Sequence, residues 1–274
     1  MPILYILYSM DGKAVCDSLM DTLNNIVPKG TIIQSVERAV HILKCFEDSR
    51  ELRIMDLSRM LGLHKSTISG LVNTLCHLNF LDKDESTSKY RLGTELFRLG
   101  AMVDISLRNI VTPYLKEIVE KCQETANLLI PDGSNVLYVE KIESPHSMRI
   151  CTEIGRSLPM HCTASGKAIL AAMDSNEADE LIDRMEFSRY TDKTILSKEE
   201  LKAHLGKVRQ MGFAIDNEEF EVGLICLGTA IRGQNGHPVG AMSVSGPIMR
   251  MDHETCNEIT DMLLEYSSRV SRQL

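Results

Sequence analysis

Leu57-Ser58-Arg59-Met60-Leu61-Gly62-Leu63-His64-Lys65-Ser66-Thr67-Ile68-Ser69-Gly70-Leu71-Val72-Asn73-Thr74-Leu75 is the stretch on which the reading of this chain turns. Its apolar residues fall into two helical sets. Leu57, Met60 and Leu61 share one face and stop at Gly62, a residue suited to a left-handed C-terminal cap. Ile68, Leu71, Val72 and Leu75, continued by Leu78, make a second buried stripe. The pattern predicts helix, short turn, helix. The second helix leaves Lys65, Ser66, Thr67, Ser69, Gly70 and Asn73 mostly outside. Small side chains let such a helix approach a major groove. Hydroxyls and amides meet phosphates or base edges, and a helix N-terminus favours a phosphate.

Working outward, Val36, Ala39, Val40, Leu43 and Phe46 predict a preceding helix. Downstream, Phe80-Leu81-Asp82 and Lys89-Tyr90-Arg91-Leu92 bracket a polar turn, as in a β-hairpin. Helix, helix–turn–helix and hairpin are the parts of a winged DNA-binding module over 31–93. Lys65, Ser66, Thr67, Ser69 and Asn73 are expected to face the major groove of double-stranded DNA, and Lys89 and Arg91 to lie on or near phosphates. On the residues alone, an ordinary helical subdomain with a solvated face stays open. The net charge of −8 does not decide between them. Residues 31–93 hold nine basic and eight acidic side chains, whereas residues 94–274 hold 19 and 27. The acidity belongs to the C-terminal part, and a near-neutral module binds DNA if its cations share one face.

Residues 1–30 are weakly patterned, end in Pro28-Lys29-Gly30, and are expected to be dispensable for folding. Residues 94–109 read as a connecting helix, with Thr94 as cap and Leu96, Leu99, Val103 and Leu107 on one stripe. That stripe needs a partner, within its own chain or on a second copy. Over 110–274, Val111, Tyr114, Leu115, Ile118, Val119 and Cys122 predict a helix beginning beside Pro113. Leu128-Leu129-Ile130 and Val136-Leu137-Tyr138-Val139 read as strands, Asp174-x-x-Glu177 and Ser197-x-x-Glu200 as capping boxes, and Gln234-Asn235-Gly236 as a hairpin turn. Helices alternating with an antiparallel meander define an α+β class.

No motif carries catalysis, and no catalytic, cofactor or metal residue is assigned. Gly166-Lys167 is not a phosphate-binding loop, because position 161 is His where that spacing needs Gly. His161 and Cys162, as neighbours on an extended segment, point to opposite sides. Cys162, Cys226, His161 and Asp216 offer zinc-type ligands without a ligand spacing. A metal- or thiol-dependent sensor or enzyme using these residues remains the alternative, with a non-DNA interaction module behind it. The eight cysteines include no C-x-x-C pair and read as reduced thiols, which points to the cytoplasm. No apolar run approaches the ~18 residues of a membrane span. The opening Met1–Tyr8 lacks a basic flank and a cleavage site, so no signal peptide is expected.

Three blocks, in order, resemble one family. They are Leu57 to Thr67 with the hairpin end Tyr90-Arg91-Leu92-Gly93, Leu158-Pro159-Met160-His161-Cys162-Thr163-Ala164-Ser165-Gly166-Lys167-Ala168, and Asp216-Asn217-Glu218-Glu219-Phe220-Glu221-Val222-Gly223-Leu224-Ile225-Cys226 followed by Ser243-Val244-Ser245-Gly246-Pro247. Together they are similar to the IclR family of bacterial transcriptional regulators, from about residue 32 to the C-terminus. The chain departs from the family at His64, where Pro is frequent, and at Gly70, where a basic residue is frequent, so no operator sequence is implied. The resemblance implies a winged helix-turn-helix, a linker helix that pairs across a homodimer or homotetramer, and a GAF-like effector-binding domain. It implies a ligand-responsive regulator, more often a repressor, of catabolic genes. By position it nominates Ala164, Ser165, Asp216, Leu224 and Cys226, with Ile150 on an apolar wall, for the effector. If Ala164 and Ser165 open a helix, their N–H groups favour a carboxylate. A small organic acid (keto, hydroxy or sugar acid) is expected, with an aromatic acid second.

Overall fold

The computed structural model describes residues 32–47, 49–103 and 106–274. The extension expected over 1–30 lies outside the described residues. The chain divides into two compact units between residues 104 and 105.

In the first unit, helix α1 (Gln34–Lys44) is followed by α2 (Ile54–Leu61) and α3 (Lys65–His77). The Asp56 carboxylate accepts from Arg53 N at 3.0 Å and tightens the first turn of α2. Gly62 ends that helix at φ +62°, a conformation that costs glycine little. Helix α3 is capped by His64, whose Nδ1 accepts from Ser66 N at 3.3 Å. Strands β1 (Leu81–Asp84) and β2 (Lys89–Leu92) pair antiparallel. Asp84 Oδ1 accepts from Ser86 N and Thr87 N, which closes the turn between them. Ile42, Phe46, Leu57, Ile68, Val72 and Tyr90 share the core beneath this wing, and of the stripe expected on α1 Val36 and Val40 are exposed while Ile42 is buried in their place.

The connecting helix expected over 94–109 is not continuous. Helix α4 covers Thr94–Gly100 and gives way to a turn, and α5 runs Ser106–Cys122. The helix expected to start beside Pro113 starts a full two turns earlier, with Pro113 inside it. Proline removes one backbone donor and crowds the preceding turn. Here Leu107, Val111, Leu115 and Ile118 are buried on one face, and that packing outweighs the local penalty. Leu107, read as part of a pairing stripe, belongs to this buried face, whereas Leu99 and Val103 are exposed.

The second unit is built on six antiparallel strands in the order β5-β4-β3-β8-β7-β6. They are β3 (Thr125–Asp132), β4 (Asn135–Ile142), β5 (Ser157–Pro159), β6 (Ala214–Asn217), β7 (Leu224–Arg232) and β8 (Pro238–Pro247). Gln234-Asn235-Gly236 lies in the β7–β8 turn, as expected. Helices α5 and α9 (His253–Ser271) cover one face through Leu115, Ile118, Ile259, Leu263 and Tyr266. The other face packs against α6 (Ala164–Ala172), α7 (Ser175–Asp183) and α8 (Lys198–Met211). This is the α+β arrangement anticipated, with helices on both sides of one antiparallel sheet.

Candidate functional site

Helix α3 carries the first candidate surface. Ile68, Val72 and Leu75 are buried, which turns Lys65, Ser66, Gly70 and Asn73 to solvent and leaves Thr67 and Ser69 half-buried at the edges. A Cβ built at Gly70 meets nothing, so the helix surface there is bare backbone. On the wing, Lys89 is paired with Glu51 at 2.9 Å and Arg91 with Asp82 at 2.6 Å. Both pairs are exposed and contribute little to the fold. The sequence reading did not foresee His64 as the cap of α3. Its place directly before Lys65, with a side-chain acceptor, was the available signal.

The second candidate is a cavity on the α6 face of the sheet, with about 570 Å³ of empty space including its open mouth. Ile150, Ala164, Ser165, Asp216, Leu224 and Cys226 all line it. The register explains why. Asp216, Cys226, Ser245 and Thr125 lie opposite one another across β6, β7, β8 and β3, so one polar row crosses four strands. Gly228, Ser243 and Asn127 form the next row. A Cβ at Gly228 would sit 2.9 Å from Ala164 C and Ser165 N, so only glycine lets the start of α6 rest on the sheet. Thr163 caps that helix by accepting from Gly166 N at 3.3 Å. Among the described residues, the Ala164 and Ser165 N–H groups have no hydrogen-bond partner, and they stand at the positive end of the helix.

Burial sets the electrostatics. The Asp216 carboxylate accepts from Glu219 N at 2.7 Å, yet desolvation and the nearby Glu219 charge push its pKa up to about 7. Lys167, wholly buried on α6, donates to Ile215 O at 2.6 Å and to Glu219 Oε1. Among the described residues, Glu219 Oε2 has no hydrogen-bond partner. Burial raises the Glu219 carboxyl while the Lys167 ammonium opposes that rise.

The same desolvation raises the Cys162 and Cys226 thiols, which disfavours a thiolate nucleophile at either position. His161 Nε2 meets Ser188 O at 3.2 Å, and its ring packs near Phe187. Among the described residues, no three His, Cys, Asp or Glu side chains are placed to hold a metal ion. Sequence reasoning missed Ser243 and Ser245 as cavity residues, although their alternation on one strand puts both on the same face. It also missed Tyr138 and Arg156.

A winged helix-turn-helix joined to a domain with a cavity on one face of an open antiparallel sheet defines the class of ligand-responsive transcription factors. The chain belongs to the IclR family: residues 100–272 match the bacterial transcriptional regulator IclR C-terminal domain, and residues 35–85 match the IclR helix-turn-helix domain. The HTH-type transcriptional regulator XynR of Escherichia coli K12 is 35% identical over 246 residues, covering 89% of this chain and 98% of XynR. The transcriptional repressor IclR of the same organism is 29% identical, covering 87% of this chain and 89% of that protein. The crystal structure of the Thermotoga maritima IclR aligns with a TM-score of 0.69 at 29% identity, over 88% of this chain and 98% of that one. The protein is accordingly a DNA-binding transcriptional regulator, and its relatives are regulators rather than enzymes. No described helix is long and apolar enough to cross a membrane.

Proposed function

We propose that this regulator is a cytoplasmic repressor of catabolic genes that acts as a homodimer or homotetramer and is controlled by a small carboxylate effector. Lys65, Ser66, Thr67, Ser69 and Asn73 read the operator, and Lys89 and Arg91 hold its phosphates. Ile150, Ala164, Ser165, Asp216, Leu224 and Cys226 surround the effector. The observation that carries the effector reading is the pair of unpartnered N–H groups of Ala164 and Ser165 at the start of α6, facing an open cavity. Self-association is supported by the apolar residues that the first unit exposes, among them Phe97 at 83%, Met102 at 67% and Val36 at 59%. Two modules reading half-sites about 34 Å apart gain affinity by being tethered. An effector changes DNA binding only through a difference in its affinity for two arrangements of the protein.

Two measurements test the proposal. Gel-shift titration against the operator should show the Lys65→Ala, Asn73→Ala double variant weakened by ~1–3 kcal/mol per lost base contact. Unchanged operator affinity removes α3 from the interface. In calorimetry with small acids, Ser165→Trp should abolish binding of the acid that binds the parent, while operator binding survives. An acid bound equally by both places the effector elsewhere.

A further inference from the structure

The helix end of the cavity accounts for a carboxylate and leaves other polar groups unmatched. Tyr138 is 7% exposed and lines the cavity, yet its hydroxyl has no hydrogen-bond partner among the described residues. Burial raises the Tyr138 phenol well above its ordinary range, so it stays protonated and is a donor. The only fully buried side-chain oxygen or nitrogen without a partner among the described residues is Glu219 Oε2, so the Tyr138 hydroxyl opens onto the cavity, where a ligand oxygen can meet it. Ser243, 3% exposed, presents a second hydroxyl with no protein partner among the described residues.

Arg156 stands beside Tyr138, because its carbonyl accepts from Tyr138 N at 2.9 Å. Its guanidinium forms no ion pair among the described residues, whereas Arg108, Arg149 and Arg250 of the same unit each hold a glutamate. The Arg156 charge lies close enough to oppose the rise that burial imposes on the Tyr138 and Tyr190 phenols. Tyr138 is on β4 and the start of α6 rests on β7 at Gly228. Three strand spacings, roughly 14 Å between backbones, separate the strands that carry Tyr138 and Gly228, and side chains reach inward from both, so that the Asp216 and Cys226 charges act on the Tyr138 phenol. The helix start and the Tyr138–Arg156 pair therefore meet different parts of one ligand in the same cavity.

We propose that Arg156 and Tyr138 form a second recognition point, which reads an oxygen acceptor at the end of the effector remote from its carboxylate. The effector is then a hydroxylated acid, and hydrocarbon-tailed acids bind more weakly because they lack the oxygen that both donors read. This rests on the reading of the cavity as the effector site. The remote acceptor is a hydroxyl or a second carboxylate; both suit a planar guanidinium fork, the carboxylate in bidentate fashion.

Calorimetry on the full-length protein with D-gluconate, D-galactarate, hexanoate and benzoate tests it. Gluconate or galactarate should bind at least about tenfold more tightly than hexanoate or benzoate. Arg156→Gln should weaken the preferred acid roughly tenfold and Tyr138→Phe about fivefold. Arg149→Gln, on an arginine already held by Glu143, should leave its affinity unchanged. A larger loss for galactarate than for gluconate in Arg156→Gln identifies a second carboxylate, and a similar loss for both identifies a hydroxyl. Equal affinity of the parent, Arg156→Gln and Tyr138→Phe for the preferred acid overturns the inference. So does a preference for hexanoate or benzoate, which leaves the acid-effector reading intact. Failure of all four acids to bind, or binding that survives Ser165→Trp, overturns both.

Discussion

The two units place their polar residues in opposite ways. The first keeps its polar groups outside: Ser66 and Asn73 face water, and the ion pairs of Lys89 and Arg91 lie on the surface. The second carries Asp216, Cys226, Ser245 and Thr125 in a row across the inside of a sheet, with Lys167 and Glu219 buried nearby. Exposed polar groups keep their hydration until DNA displaces it, and they cost the fold little. Buried ones must be matched by protein or by ligand, and where they are not, they mark a place for a ligand. Both arrangements serve recognition, but only the second couples recognition to stability.

Breaking one ion pair in each unit should separate the two most widely. Lys167→Ala leaves the Glu219 carboxylate buried without its counter-charge, and we expect a loss of about 3–5 kcal/mol in denaturant unfolding of the second unit. Arg91→Ala, at a fully exposed pair, should leave unfolding nearly unchanged. Similar losses at the two sites would contradict the comparison.

The pH dependence of stability sharpens it. The Asp216 pKa is raised in the folded state, to about 7, by burial and by the Glu219 charge. Between pH ~4 and ~7 the folded state therefore binds more protons than the unfolded chain, and stability falls as pH rises through that window. Asp216→Asn keeps an acceptor for Glu219 N and removes the titration. Its unfolding free energy should exceed that of the parent by an increasing margin from pH 4 to pH 8. A margin that stays flat over this range would show that Asp216 does not titrate there.

The smallest expected effect lies on the DNA-facing helix. A Cβ at Gly70 meets open space within α3, so Gly70→Ala should raise stability by about 0.5–1 kcal/mol. The methyl group would stand between helix and groove, so operator affinity should fall while thermal stability rises. A gain in both would mean that Gly70 does not face DNA.

The recognition helix was legible because its evidence is local. Ile68, Leu71, Val72 and Leu75 repeat at helical spacing, Gly62 marks the turn, and what remains is the exposed face. The break between α4 and α5 was not legible. The apolar spacing of Leu96, Leu99, Val103 and Leu107 runs through it unchanged, and only the burial of Leu107 in the second unit's core assigns it to a different helix. Pro113 misled for the same reason, since its cost is local and the packing that outweighs it is not.

The cavity divides along the same line. Family resemblance brought forward the six residues from Ile150 to Cys226, and alternation along β8 held the signal for Ser243 and Ser245. Nothing local joins Tyr138, Arg156 and the start of α6. The sequence by itself determined the helix and strand periods and the exposed face of α3, because these depend on neighbours a few positions apart. The tertiary structure alone decided which polar side chains share a cavity, which glycine lets α6 rest on the sheet, and how far burial shifts Asp216. Each of these depends on distances and desolvation set by strand order and register, which bring residues distant in the chain side by side.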